Sequence, residues 1–392
     1  MEPTVPSGKS HRLDSVDMLR GIVMVIMALD HVRDFFTNVR FYPLDLTQTW
    51  PALYMTRWIT HFCAPTFVFL AGTGAFLAGT RGKSKPELAK FLLTRGIWLI
   101  IVEHTIVRFG WVFNFDYSFM VGQVIWAIGW SMVCLAGLVF LPVGVITAVG
   151  IAIVALHNAL DGLQPEQFGN FAWLWMILHE GGFVEITSGM GMEAAYPLIP
   201  WIGVMAAGYG FGAIMQLEEK QRRKTLLRLG LGLALGFIVL RWLNVYGDPN
   251  LWTSQRDLLF TIFSFIDTVK YPPSLLYLMM TLGPAIASLA LLERVKGRVA
   301  EFFIVFGRVP FFYYVLHLPL IHGLAYIAAM ITDHDPSFMT ANVPPWEWPG
   351  EYGFDLPVVY LVWVAVILML YPACRWYAGL KRRNKSPLLS YL

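Results

Sequence analysis

Ten apolar runs, each about as long as a helix needs to cross the ~30 Å hydrocarbon core of a bilayer, divide this chain. They lie near 16–37, 58–80, 91–113, 119–140, 143–160, 196–216, 225–244, 274–293, 303–331 and 356–379. The ninth is longer than a crossing requires and holds Pro310 and Pro319, so a kink or tilt is expected there. Composition agrees with the runs. Hydrophobic residues make up 57% of the 392 residues and charged residues 14%. Soluble domains sit near ~45–50% and ~25%. A soluble enzyme, a secreted disulfide scaffold and a disordered chain are therefore excluded. Cys63, Cys134 and Cys374 each fall inside an apolar run with no paired spacing, which suggests neither a disulfide framework nor a zinc site.

Positive charge orients the runs. Lys and Arg crowd 81–95, 220–228, 294–308 and the C-terminal end. With Lys9, Arg12 and Arg20 they place twenty-two cations on one side. Seven remain for the other: Arg33, Arg40, Arg57, Arg108, Arg241, Arg256 and Lys270. Ten spans with both termini in the cytoplasm satisfy the positive-inside rule at every loop, and an odd count would break it. The expected fold is thus an all-α polytopic membrane protein of about ten transmembrane helices. Its parts are a cytoplasmic tail over 1–15, a membrane domain over 16–380 and a second cytoplasmic tail over 381–392. The first span holds Arg20, Asp30 and His31, which is wrong for a cleaved signal peptide, so it is read as retained. The outer segment 161–195 contains a short aromatic stretch over 171–178, which suits an interfacial or re-entrant piece.

Ionisable groups inside a spanning helix are costly, so each marks a candidate site. The first span carries Asp17 and Arg20 at one end and Asp30, His31, Arg33 and Asp34 at the other. Arg20 and His31 are eleven residues apart, which is three turns plus ~20°, so they share a face ~16 Å apart along the axis. Asp34, one turn beyond His31, is expected to orient its ring. Asp30 points elsewhere on the helix. Other imidazoles fall at similar depth: His61 opens the second span, His104 precedes Arg108 by one turn in the third, and His317 and His322 flank Pro319 in the ninth. No zinc-ligand spacing and no phosphate-cradling glycine loop is found, so no metal is expected.

The opening Arg12-Leu-Asp-Ser-Val-Asp17-Met-Leu-Arg20-Gly21 resembles the heparan-alpha-glucosaminide N-acetyltransferase catalytic family. So does Pro65-Thr-Phe-Val-Phe-Leu-Ala-Gly-Thr-Gly-Ala-Phe-Leu77. Tyr196-Pro-Leu-Ile-Pro-Trp-Ile-Gly203 and Gly307-Arg-Val-Pro-Phe-Phe-Tyr-Tyr-Val-Leu-His317 match later blocks more loosely. The arginine–histidine spacing of Arg20 and His31 also resembles that of the broader transmembrane acyltransferases. One departure is plain. Other members carry an essential histidine in the loop before the second span, whereas here that loop, 41–51, has none. The catalytic role then moves to His31 or His61.

The resemblance implies a multi-pass acyltransferase of a bacterial cytoplasmic membrane. It would move an acetyl or other acyl group from acetyl-CoA, or another acyl-CoA, to an extracytoplasmic amino sugar or glycan. His31, Asp34 and His61 would form the catalytic set and Arg20 and Arg308 would hold the CoA phosphates. Asp30, His104, Arg108, His317 and His322 would meet the acceptor. Membrane lipid is an expected partner, self-association stays open, and nothing points to nucleic acid. A secondary transporter or flippase with an intramembrane His/Asp/Arg site is the alternative, though no inverted repeat supports it. A non-catalytic membrane assembly or sensor is the third reading.

Overall fold

Every apolar run contains a helix. A computed structural model describes residues 13–384, Ser386 and Leu389. Lys9, Arg12 and Lys385, which enter the charge split, lie outside the described residues, as does most of both tails. The helices are α1 Asp14–Phe36, α2 Pro51–Gly79, α3 Lys85–Val102, α4 Val124–Leu138, α5 Val143–Leu156 and α6 Leu198–Phe211. They continue as α7 Glu219–Leu243, α8 Leu258–Ile266, α9 Leu275–Leu292, α10 Arg298–Arg308, α11 Pro310–Ile331 and α12 Leu356–Arg383. α2 tightens to a 3₁₀ turn at Ile59–Phe62, and α3 runs on through a π turn, Glu103–Val107, into a last turn at Arg108–Val112.

Local chemistry sets the ends. Ser84 and Glu87 form a reciprocal capping box at the start of α3, with a proline in its first turn. The side chains of Asp257 and Ser274 cap α8 and α9. Asp14 and Asp17 in the first turn of α1 and Arg33 in its last complement the helix dipole.

Among the described residues, seven helices are long and apolar enough to cross a membrane. Three expected spans fall outside these seven, and the third expected span, α3, does so because it carries Lys85, Glu87, Lys90, Arg95, Glu103 and Arg108. α1 is loaded with charge, and α4 has only 15 residues, ~22 Å of rise. The fourth span also begins late, because Phe119–Val121 is a strand, β1, rather than helix. It joins β2, Gly182–Thr187, and β3, Met190–Ala194, in a small sheet of order β1-β3-β2. β1 runs parallel to β3 with Phe119 opposite Gly191, and β2 runs antiparallel with Phe183 opposite Glu193. The ninth span is two helices. Val309 leaves helical geometry (φ −134°, ψ 47°), as a residue before proline is pushed to do, and Pro310 then opens α11. Pro319 lies inside α11.

α1 sits at the centre, buried on most of its surface and packed by α2, α9, α10, α11 and α12. By contrast α5 and α7 bury little and each leans on one main neighbour, α5 on α6 and α7 on α9. A helix that is apolar all round and yet little buried in protein presents its outer face to lipid.

Candidate active site

The Arg20 end of α1 is built by a backbone-to-backbone crossing. A Cβ at Gly21 would lie 1.8 Å from the Phe303 carbonyl oxygen, and one at Gly307 would lie 1.7 Å from that of Asp17. Only glycine lets α1 and α10 approach so closely. The residues beside these glycines, Arg20 and Arg308, are therefore brought together. Arg20 Nη1 donates to Asp17 Oδ1 (3.5 Å) and to the Gly307 carbonyl (3.4 Å). Arg308 pairs with Asp14 (3.3 Å) and Asp17 (3.8 Å).

Both arginines line one cavity of about 320 Å³, joined by Arg95 and Lys381. Its remaining wall is apolar, including Met24, Leu70, Leu99, Ile125, Ile128 and Met132, and it also includes Tyr314. Its lining takes in Arg20 and Met24 of α1, Phe67 to Ala78 of α2 and Phe91 to Leu99 of α3. An open cleft of about 600 Å³ shares Ala78 and Phe91 with it and is lined by Arg81, Lys83 and Lys90.

At the other end of α1, His31 meets α11. Nδ1 of His31 lies 2.6 Å from Nε2 of His317, and Nδ1 of His317 lies 2.6 Å from the Tyr314 carbonyl oxygen. A carbonyl only accepts, so Nδ1 of His317 carries its proton. With both rings neutral, Nε2 of His317 is then bare and His31 must donate from Nδ1. The Nε2 of His31 is left with a free lone pair, which is the state a general base needs. His317 is fully buried, whereas His31 is partly accessible. Trp111 and Tyr314 meet the His31 ring edge-on, at 5.1 Å and 6.5 Å between centroids.

Ion pairs brace this histidine pair. Arg33 bonds Asp30 (2.7 Å) and Asp34 (2.6 Å), and Arg57 of α2 reaches Asp30 at 3.5 Å. The expected contact of Asp34 with His31 is thus corrected. Its carboxylate is taken by Arg33, because a guanidinium offers a stronger charge-assisted bond than a neutral imidazole. The ring is oriented by His317 instead. Asp30 likewise faces Arg33 and Arg57.

The remaining expected residues divide. His61 is fully buried in the 3₁₀ turn that packs on α1, with both ring nitrogens unpartnered and Tyr277 edge-on at 5.3 Å. His104 lies in the π turn of α3, its Nδ1 buried without a partner. Arg108 is spent on the 114–118 loop. It donates to the carbonyls of Asn114 (3.0 Å) and Asp116 and to Asn342 Oδ1 (3.1 Å), and it stacks on Tyr117. His322 bonds the Gly110 carbonyl (3.1 Å) and stacks on Phe113. Arg108 and His322 hold loops rather than open a site.

Arg95, Lys381 and Tyr314 were not among the expected site residues. The first two were read only as part of the positive loops, and Tyr314 lay unremarked one helical turn before His317. Among the described residues, no group of three or more His, Cys, Asp or Glu side chains is arranged to hold a metal ion.

No curated protein matches the chain. The family model for heparan-alpha-glucosaminide N-acetyltransferase, catalytic, matches residues 12–253. That span carries Arg20, His31, His61 and Arg95, while Arg308, Tyr314 and His317 follow it. Since the match covers well over half of the chain, this membrane protein belongs to the heparan-alpha-glucosaminide N-acetyltransferase catalytic family, whose activity is acetyl transfer.

Proposed function

We propose that this protein takes the acetyl group of a cytoplasmic acyl-CoA and passes it to an amino sugar or other glycan outside the membrane. The observation that carries this reading is the His31–His317 bond, which leaves Nε2 of a partly exposed His31 bare as a base, on the same helix as Arg20 of the cationic cavity and 6.5 Å, ring to ring, from the Tyr314 that lines it. Arg20, Arg308, Arg95 and Lys381 bind phosphate groups of the donor at the inner mouth. The open cleft beside Arg81, Lys83 and Lys90 receives the nucleotide. The apolar wall then suits the pantetheine arm, which spans the ~16 Å from Arg20 to His31.

The acceptor amine or hydroxyl approaches His31 from outside. Its nitrogen or oxygen bonds the thioester carbonyl carbon while its proton passes to Nε2 of His31. The C–S bond then breaks, and the thiolate leaves with the proton that His31 releases. His61 stands beside the site as a brace or acceptor contact.

The same reading assigns ten crossings, both termini to the cytoplasm and the chain to a bacterial cytoplasmic membrane. The catalytic domain then occupies 16–380 between tails 1–15 and 381–392. The charge split supports this sidedness, as does the clustering of Arg20, Arg95, Arg308 and Lys381 on one cavity. Reporter fusions after Lys385 and within 161–195 test it, and an external C-terminus would overturn it. Titration of acetyl-CoA onto purified wild type and Arg20→Ala tests the donor site. Equal affinity in the two would remove Arg20 from that role.

A further inference from the structure

We infer that the Tyr314 hydroxyl is the hydrogen-bond donor to the thioester carbonyl oxygen during acyl transfer. The inference rests on the acyl-CoA reading above and adds a catalytic residue to it. Tyr314 is 3% exposed and its hydroxyl has no partner in the protein. A buried hydroxyl left unmatched loses its hydrogen bonds to water without replacement, so such groups are rare unless something else uses them. Other buried tyrosines here are matched: Tyr54 donates to the Phe263 carbonyl (2.8 Å), Tyr277 to that of His61 (2.8 Å) and Tyr352 to that of Ala325 (3.3 Å). Tyr313 is also unmatched, but it stacks on His317 and does not line the cavity.

Tyr314 does line it. Among the described lining residues its side chain is the only uncharged hydrogen-bond donor, the others being four cations and apolar groups. Its ring lies 5.2 Å from that of His317 and 6.5 Å from that of His31. A thioester that has passed the cations along this cavity thus meets the hydroxyl beside the base. As the acceptor attacks, the carbonyl π electrons move to oxygen, and the Tyr314 O–H donates to that oxyanion without losing its proton. When the carbonyl re-forms the C–S electrons leave with sulfur, and Tyr314 returns to its starting state.

Infrared spectroscopy of bound acetyl-CoA, carrying carbon-13 at the thioester carbonyl, tests this on the purified full chain. The carbonyl band should lie at lower frequency in wild type than in Tyr314→Phe, with acetyl-CoA affinity little changed. Tyr313→Phe should leave the band at its wild-type position. Acetyl transfer to glucosamine should lose about 10²-fold in kcat in Tyr314→Phe, as loss of one oxyanion donor does. The ligand-free Tyr314→Phe variant should melt no lower than wild type, because its hydroxyl has no protein bond to lose. Identical bands in wild type and Tyr314→Phe, or a clear fall in melting temperature, would overturn the assignment. Failure of wild type to bind acetyl-CoA at all would overturn the donor reading, and the role of Tyr314 with it.

Discussion

At the Arg20 end of α1 the arginines are partly exposed and their ion pairs long, whereas at the His31 end Arg33 is buried and holds two carboxylates at short range. Arg20 and Arg308 keep 21% and 34% of their side chains exposed and pair with acids at 3.3–3.8 Å. Four cations line that cavity, and Asp14 and Asp17 pair with two of them. Arg33 is 5% exposed and bonds two carboxylates within 2.7 Å. Loose, partly exposed pairs can trade an acid for a phosphate at little cost. Tight buried pairs cannot, since either partner left alone would be an uncompensated charge. One helix thus carries an exchangeable electrostatic site and a fixed one, and the fixed one lies beside His31.

Breaking each end in turn sharpens that contrast. Arg33→Ala should cost about 3–5 kcal/mol of stability, read as a fall in folded yield and melting temperature. Arg308→Ala should cost no more than about 1 kcal/mol in the same measurement, and equal losses would erase the distinction. Next in size, His31→Ala should lower acetyl transfer by about 10²-fold or more while acetyl-CoA binding stays intact. Steady-state kinetics beside a binding titration separate the two. Arg20→Ala should weaken acetyl-CoA binding by about tenfold, an effect that fades at high salt, with the acceptor KM unmoved. His61→Ala should reduce turnover least of these. If purified His31→Ala kept near-full transfer and His61→Ala lost it, the two roles would exchange.

Periodicity made the helices and the Arg20–His31 face legible, because both depend on contacts within one turn or one stretch of chain. The break at Val309 was legible only as a kink, since Pro310 marks a disturbance without saying whether two helices or one bent helix results. The three-stranded sheet was not legible. Its strands are short, and β1 pairs with residues some seventy positions later. His317 was named as an acceptor contact, yet its bond to His31 joins residues 286 apart, for which no local spacing rule exists. Asp34 misled for the opposite reason. The one-turn rule places it beside His31, but it takes no account of the longer Arg33 side chain competing for the same carboxylate. Arg95 and Lys381 were hidden by their own company, being helical cations within charge clusters that the positive-inside rule already accounts for.

The central place of α1 also bears on how the protein is made. It leaves the ribosome well before its neighbours α10, α11 and α12. At ~5–20 residues per second, tens of seconds separate its synthesis from theirs. Throughout that interval its Asp30, Arg33 and Asp34 are poorly suited to rest alone in lipid. Arg57, on the second helix, is the early partner within reach of Asp30. A nascent chain stopped before residue 298 holds His31 and Arg20 but neither His317, Tyr314 nor Arg308. The pairing of His31 with His317 and of Arg20 with the Gly307 carbonyl therefore forms only after α10 and α11 have been made.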